Sequence, residues 1–452
     1  MNIPAGFKIQ TKHWLGDDEY APLEKALQEE TPVSIRLNPS KPTNPKSSYE
    51  KVKWCETGYY LPERPSFTFD PLFHAGCYYV QEASSMFLEQ AVKQYITIPV
   101  VCLDLCAAPG GKSTHLLSLL PEKSLLVSNE VIHSRAAVLR ENLIKWGSPY
   151  SVATCNDPNE IGRLTHLFDV IVADLPCSGE GMFRKDRNSR NEWSEANVRL
   201  CAARQRRIIH DVWNSLKPGG LFVYCTCTFN REENEENIRY IVDVFNAEVL
   251  PVLVEDDWNI SPAIDESFPM YRFYPHKTKG EGFCLSLLKK HDDERQTIQI
   301  PKVKIQNSKK ILQSYDLTIL QSFLNDSFHF DVNNNTIQAI PALFQDTYLL
   351  LSHYLRVVSA GVLIGEIKGN DLLPATALAL NVCFRSDSFP SVELNLEESI
   401  RYLQKEALVL QEDVSTGFVV VKYGNTPLGF VKNIGNRANN LYPQEWRIRK
   451  RL

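Results

Sequence analysis

Cys177, in Asp174-Leu175-Pro176-Cys177-Ser178-Gly179, and Cys227, in Tyr224-Cys225-Thr226-Cys227-Thr228, are the residues best placed to do chemistry. Both follow a glycine loop, Cys106-Ala107-Ala108-Pro109-Gly110-Gly111-Lys112, and each thiol falls at the end of an expected strand. A cysteine nucleophile can split one difficult step into two easier ones through a covalent intermediate. A nucleotide-type loop followed by two such thiols therefore points to a cofactor-dependent reaction that runs through a cysteine adduct.

The elements that must position these residues alternate. Val100 to Leu105, Leu125 to Glu130, Ser151 to Asp157, Phe168 to Asp174 and Leu221 to Thr226 read as strands, with helical stretches at Ser134 to Trp146 and Asn197 to Leu216 between them. Lys217-Pro218-Gly219-Gly220 reads as the C-cap and turn that closes the second helix. Such alternation implies α/β architecture, a parallel sheet wrapped by helices. In a sheet of this kind a ligand sits at the carboxyl ends of the strands, where the first loop meets a helix N-terminus. Ala107 to Lys112 occupies that place. The loop has neither the dinucleotide fingerprint nor the spacing of a P-loop, which disfavours a pyrophosphate cradle.

Acids recur at later strand ends. Glu130 lies where a carboxylate can accept hydrogen bonds from both ribose hydroxyls, Asp157 could face an adenine amino group, and Asp174 closes the fourth strand. Taken singly, Glu130 or Asp157 is equally readable as a helix cap or a solvated loop acid. Three in register favour a cofactor shell.

With 452 residues the chain exceeds the roughly 250–300 at which one core stops growing, so several domains are expected. Eleven cysteines at irregular spacing, without a C-x-x-C pair, read as reduced cytosolic thiols and give no metal site. The start has no basic, apolar leader and no apolar run reaches membrane length, so a soluble cytoplasmic protein is expected. A net charge of -5 decides nothing about nucleic acid, because binding depends on where the charge lies.

At this point the chain resembles the Sun/nucleolar-protein family of RNA cytosine methyltransferases. The resemblance rests on Tyr78-Tyr79-Val80-Gln81-Glu82-Ala83-Ser84-Ser85-Met86, the loop from Cys106, the segment from Asp174, Tyr224 to Thr228, Arg272-Phe273-Tyr274-Pro275-His276-Lys277 and Gly280-Glu281-Gly282-Phe283. Leu373-Pro374-Ala375-Thr376-Ala377-Leu378-Ala379 and Pro427-Leu428-Gly429-Phe430 resemble the RsmF-type bacterial branch. The resemblance implies a Rossmann-like class I methyltransferase forming 5-methylcytosine, on small-subunit ribosomal RNA, with S-adenosyl-L-methionine as cofactor. It implies an N-terminal α/β RNA-binding cap over 1–95, the catalytic domain over 96–290, an additional domain over 297–385 and a PUA-like β-rich RNA-binding module over 386–452. A monomer is expected. Transfer RNA as substrate, or a non-catalytic ribosome-assembly factor, are the alternatives.

Carried over by residue, Cys106, Ala107, Ala108, Pro109, Gly110, Gly111, Lys112, Glu130, Arg135, Asp157 and Asp174 form the cofactor shell, with Arg135 supporting the Glu130 carboxylate. Cys227 matches the nucleophile and Cys177 the cysteine that releases the product. Addition of a thiolate to carbon 6 of cytosine makes carbon 5 nucleophilic enough to take a methyl group. Free cysteine titrates near 8.5, so the thiolate needs help, which Lys112 or the sulfonium charge could supply. Asp174 is expected to hydrogen-bond the base edge at the exocyclic amine and ring N3. The base must leave any stack to reach the site, which favours single-stranded or loop RNA. Cys225, on the same strand face as Cys227, is a rival nucleophile that is better read as a small packed residue.

Other features read as structure. Arg231 to Glu236 is an acidic run opening a helix, where the macrodipole favours carboxylates. Trp146 and Trp193 are expected to pack. His291 to Gln296 reads as a linker. The segment from Lys422 to Leu452 carries seven basic side chains against Glu445 alone, which suggests a phosphate-contacting patch.

Overall fold

The computed structural model describes residues 3–41, 43–264, 268–292, 317–333, 335–369 and 371–450. Four short strands come first: β1 (Val33–Leu37), β2 (Glu50–Lys51), β3 (Gly58–Leu61) and β4 (Tyr78–Val80) pair antiparallel in the order β2-β3-β1-β4. Arg36 on β1 is fully buried. Its Nε donates to Gln81 Oε1 (2.8 Å), its Nη2 donates to Thr114 Oγ1 (2.6 Å), and the guanidinium lies 4.5 Å from the Trp146 ring. One side chain of this small sheet thus fastens it to the helix Gly111–Leu119 that follows the glycine loop.

The five expected strands form; the first three end one to three residues early, the fourth keeps its expected bounds, and the fifth begins five residues earlier and ends as expected. They are β5 (Val101–Asp104), β6 (Leu125–Asn129), β7 (Ser151–Thr154), β8 (Phe168–Asp174) and β9 (Leu216–Thr226). They pair parallel in the order β9-β8-β5-β6-β7. Beyond β9 come β10 (Glu248–Leu250), β11 (Tyr271–Phe273) and β12 (Phe283–Lys289), with β12 running antiparallel to β9. Alternate side chains leave opposite faces of a strand, and here they enter two cores. Leu103, Val127, Ile171 and Phe222 pack with Ile209, Val212 and Ile238, whereas Cys102, Leu126, Val172 and Val223 pack with Leu88, Val92 and Leu116. The sheet is therefore doubly wound. Its order reverses at β5 and β8, which leaves a crevice at their carboxyl ends.

One expectation needs correction. Lys217 to Gly220 does not cap a helix: Glu195–Val212 ends before it, a short turn Trp213–Ser215 follows, and the four residues lie inside β9. Gly219 keeps a positive φ of 70° there, and the β8–β9 register shifts alongside, so the glycines serve an irregular strand entry. The acidic run at Arg231 to Glu236 does open a helix, Glu235–Phe245, with Glu235 and Glu236 in its first turn, and packing buries Glu233 and Glu235 fully.

Past the catalytic sheet, β13 (Phe328–Asn333), β14 (Thr336–Pro341), β16 (Val362–Lys368) and β17 (Asp371–Pro374) make a four-stranded sheet, while β15 (Val357–Ala360) leaves it and pairs antiparallel with β7. The additional region thereby covers the open edge of the catalytic sheet. The last sheet holds β18 (Ser391–Glu393), β19 (Gly417–Tyr423), β20 (Thr426–Asn433) and β21 (Ala438–Asn440). Its Tyr402, Val419, Leu428 and Tyr442 share one apolar core with Ile35, Leu61 and Tyr78 of the N-terminal sheet. The two ends of the chain thus pack on each other. The expected linker falls, from residue 293 on, outside the described residues, as does Arg451.

Candidate active site

The glycine loop leaves β5 at Asp104 and turns into a helix through Gly110, whose φ of 113° is open to glycine and strained for other residues. Two backbone bonds fix the turn: Ala107 N–H donates to the Asn129 carbonyl and Gly110 N–H to the Ala107 carbonyl, both at 2.8 Å. Side chains of the helix His133–Trp146 hold the loop from outside, Arg135 Nη2 donating to the Ala108 carbonyl (2.9 Å) and Asn142 Nδ2 to the Pro109 carbonyl (2.7 Å). Arg135 also reaches the Glu130 carboxylate at 3.2 Å, and Glu130, 2% exposed, accepts the Ile132 amide at 3.0 Å. Arg135 therefore ties the acid after β6 to the loop after β5.

A cleft of about 160 Å³ opens between this loop and the N-terminal sheet, lined by Tyr79, Gln81, Cys106, Ala108, Lys112 and Asp174 among others. Lys112 Nζ lies 2.8 Å from Asp174 Oδ2. Burial works against the lysine's charge, yet the Asp174 carboxylate outweighs it, aided by Cys225 and Asp104, and Lys112 stays above its ordinary pKa. Below the loop, Asp104 Oδ1 is buried without a partner while Oδ2 accepts from Ser113 Oγ (2.6 Å), and burial raises this carboxyl to about 7. The cleft is thus rich in acceptors, and its lysine is already paired. That acceptor set suits a cationic, hydroxyl- and amine-bearing ligand such as S-adenosylmethionine and would repel a pyrophosphate.

Asp157 behaves as the cap weighed above. It is the N-cap of Pro158–Ile161 in a capping box, accepting from the Asn159 amide (3.0 Å) while Glu160 receives its own amide (3.0 Å). It does not line this cleft, and neither do Glu130 and Arg135, which stand behind the loop and reach it through the Ala108 carbonyl.

The two thiols meet. Asp174 and Cys225 face each other in the β8–β9 register, so the loops beyond both strands leave the sheet side by side, and Cys177 Sγ lies 3.1 Å from Cys227 Sγ. The hydrogen bond to the Cys227 sulfur, then burial, push the Cys177 thiol well above its ordinary pKa. Cys225 is 0% exposed in the apolar core, and burial raises its thiol too. Both half-buried cysteines stand past the strand ends, whereas the rival sits within β9.

Residues that motif spacing did not bring forward stand behind this pair. Glu180 and Glu233 are buried there, and burial raises Glu233 to about 7. The only available signal was composition: two acids inside otherwise catalytic motifs. Trp193 and Trp146 are buried as expected, and Trp193 Nε1 donates to Glu180 Oε1 at 2.9 Å. A separate buried group, Cys55, Glu89 and His115, has its carboxylate taken by His115 Nε2 (3.1 Å), Lys93 (2.8 Å) and the Glu56 amide (3.0 Å).

Strand order, crevice and acceptor-rich cleft define a class I methyltransferase. Residues 99–289 match the family model of the 16S rRNA methyltransferase RsmB/F, residues 3–83 the N-terminal domain of 16S rRNA methyltransferase RsmF, and residues 389–448 the methyltransferase RsmF PUA domain. The ribosomal RNA small subunit methyltransferase F of Shewanella baltica is 28% identical over 426 residues, covering 88% of this chain and 85% of its own. A methyltransferase homologue from Pyrococcus horikoshii is similar in structure, with TM-score 0.54 and 27% identity over 62% of this chain and 93% of that one. NSun6 from the same organism, solved with SFG, has the same fold at TM-score 0.55 and 21% identity over 64% and 98%. The chain belongs to the RsmB/F family. It is an S-adenosylmethionine-dependent RNA cytosine-5-methyltransferase.

Proposed function

We propose that this enzyme forms 5-methylcytosine in small-subunit ribosomal RNA, with Cys227 as the nucleophile and Cys177 as the group that permits release. The observation that supports the reading is the 3.1 Å contact of the two thiols past the ends of adjacent strands, and the family resemblance divides the roles between them. The curated relative's name supplies the RNA class. When bound, S-adenosylmethionine supplies an electrophilic methyl group; Glu130, Arg135 and the loop from Cys106 to Lys112 are the residues that would hold it. Cys227 adds to carbon 6 of the extruded base. The Lys112–Asp174 pair, 2.8 Å apart, offers an acceptor for the exocyclic amine beside a donor for ring N3 or O2. Once carbon 5 carries its methyl group, Cys177, having passed its own proton to water, takes the carbon 5 proton directly or through a water; the carbon 5–carbon 6 double bond re-forms and the Cys227 sulfur departs as thiolate.

Both thiols, the ion pair and the cleft come from one chain, so the enzyme acts as a monomer, in the cytoplasm where its RNA is made. Among the described residues no helix is long and apolar enough to cross a membrane. Bisulfite sequencing of ribosomal RNA from a deletion strain tests the reading. One small-subunit cytosine should lose protection and regain it with the wild-type gene but not with Cys227→Ala. Loss of protection in transfer RNA instead would overturn the substrate, and restoration by Cys227→Ala would overturn the mechanism.

A further inference from the structure

Two buried carboxylates cross between the loops that carry the catalytic cysteines. Glu180 lies on the Cys177 side, three residues on, yet its oxygens hold the other loop. Oε2 accepts from Thr228 Oγ1 (2.7 Å) and from the amides of Phe229 (2.6 Å) and Asn230 (2.9 Å), and Oε1 accepts from Asn230 Nδ2 (3.1 Å). Glu233 lies on the Cys227 side and reaches back. It accepts from the Ser178 amide (3.0 Å to Oε2), from Gln205 Nε2 (2.7 Å) and from Asn230 Nδ2 (2.8 Å). Between them the residues next to each cysteine touch, Ser178 Oγ and Thr228 Oγ1 being 3.0 Å apart. Glu180 is 1% exposed and Glu233 0%.

Burying two acids with no cation in contact among the described residues is costly. A hydrophobic filling would hold two loops together more cheaply, but only directed acceptors can fix particular amides, and those amides belong to Ser178 and to the stretch after Cys227. We infer that Glu180 and Glu233 are reciprocal positioning residues for the reaction. Glu180 orients the Cys227 loop for attack, and Glu233 orients the Cys177 loop for release. The inference rests on the roles proposed above for the two thiols.

The exchange of either carboxylate for an amide is not neutral here. Among the described residues every hydrogen-bond partner of both side chains is a donor, so a glutamine must turn its NH2 group toward at least one of them. A displacement near an ångström costs about 100-fold in rate. Single-turnover reactions with labelled RNA, resolved on denaturing gels, separate the two roles. Glu233→Gln should accumulate the covalent enzyme–RNA band, as Cys177→Ala would. Glu180→Gln should form that band about 10–100-fold more slowly than wild type. A merely structural role would lower both signals together and could not increase one.

The thiol pair is also read without RNA. Phenylarsine oxide condenses with two adjacent thiols, one arsenic bridging both sulfurs with release of one water, and both glutamine variants should lose about tenfold in this affinity as the pair loosens. Cys177→Ala and Cys227→Ala are the controls. If a glutamine variant does not fold, the aspartate variant, which keeps the charge and shortens the reach, is read by the same bands and titration. Wild-type arsenical affinity together with wild-type band kinetics in a folded variant overturns the clasp. Intact arsenical differences with full activity in Cys227→Ala would instead overturn the proposed function and leave the clasp standing.

Discussion

The thiols of Cys177 and Cys227 lie 3.1 Å apart although they belong to different strand–loop units of the sheet. Parallel pairing of β8 with β9 makes this possible, because both chains leave the sheet at the same edge, Asp174 beside Cys225. The contact with the Cys227 sulfur and burial raise the Cys177 thiol. The pair proposed for attack and release is thus already in contact.

Replacement of Cys227 by alanine should abolish methyl transfer, by more than about 10³-fold, since Cys225 is buried in the core and Cys177 is the group proposed for release. Cofactor affinity should stay within about twofold, because Cys227 does not line the cofactor cleft. Single-turnover transfer and calorimetry measure the two. Activity that survives in Cys227→Ala and vanishes in Cys225→Ala would reverse the assignment.

Cys177→Ala should attack and methylate but fail to release, so enzyme and RNA stay joined. The double variant with Cys227→Ala should show no shifted band on a denaturing gel. A band that grows in Cys227→Ala and is missing in Cys177→Ala would exchange the roles.

Removal of the Glu130 carboxylate by Glu130→Ala should weaken S-adenosylmethionine binding by about tenfold or more, through loss of a charge-assisted acceptor and release of Arg135 from its position over the loop. Arg135→Ala should reproduce part of the loss. Calorimetry decides, and an unchanged affinity in Glu130→Ala would remove Glu130 from the cofactor shell.

Stability should fall on mild acidification through His74. Burial, then the Lys145 charge, lowers its pKa from 6.5 to about 4, against the Thr68 carbonyl that accepts from Nε2. Between these values the unfolded chain binds the proton and the native state does not, so stability is lost as pH drops from 6.5 toward 4. Denaturant titrations of wild type and His74→Gln should diverge in slope over this window, by on the order of 1–3 kcal/mol in total. Parallel curves would show that the native state accommodates the charged imidazole.

Arg447, Arg449 and Lys450 are exposed on either side of buried Ile448, which anchors the terminal segment in the core shared by the two chain ends. Replacing all three by serine should reduce the slope of log affinity for RNA against log salt by about 2, at roughly 0.7–0.9 per phosphate contact. An unchanged slope would show that this patch does not touch the backbone. Phe430 and Tyr442, which fall among these basic residues in the sequence, are fully buried core.

What the sequence by itself determined is local. The period-2 strands, the glycine turn at Gly110, the acids at strand ends and both catalytic cysteines follow from residue type and near spacing, because backbone dihedrals and strand alternation depend on neighbours in the chain. Even Asp157 was half legible, its capping role being one of the two readings open to a Ser/Asp-type residue before a helix. Contacts across the sheet were not. The 3.1 Å pair and the Lys112–Asp174 ion pair depend on which strands lie side by side. So do the acceptor roles of Glu180 and Glu233, and the pairing of β15 with β7. The acidic run at Arg231 to Glu236 resembles an ordinary helix start until tertiary packing buries it, since a macrodipole and a buried amide cluster both select glutamate. Burial and long-range partnership are properties of the packed molecule, and they decided which carboxylates face water and which hold the thiols in place.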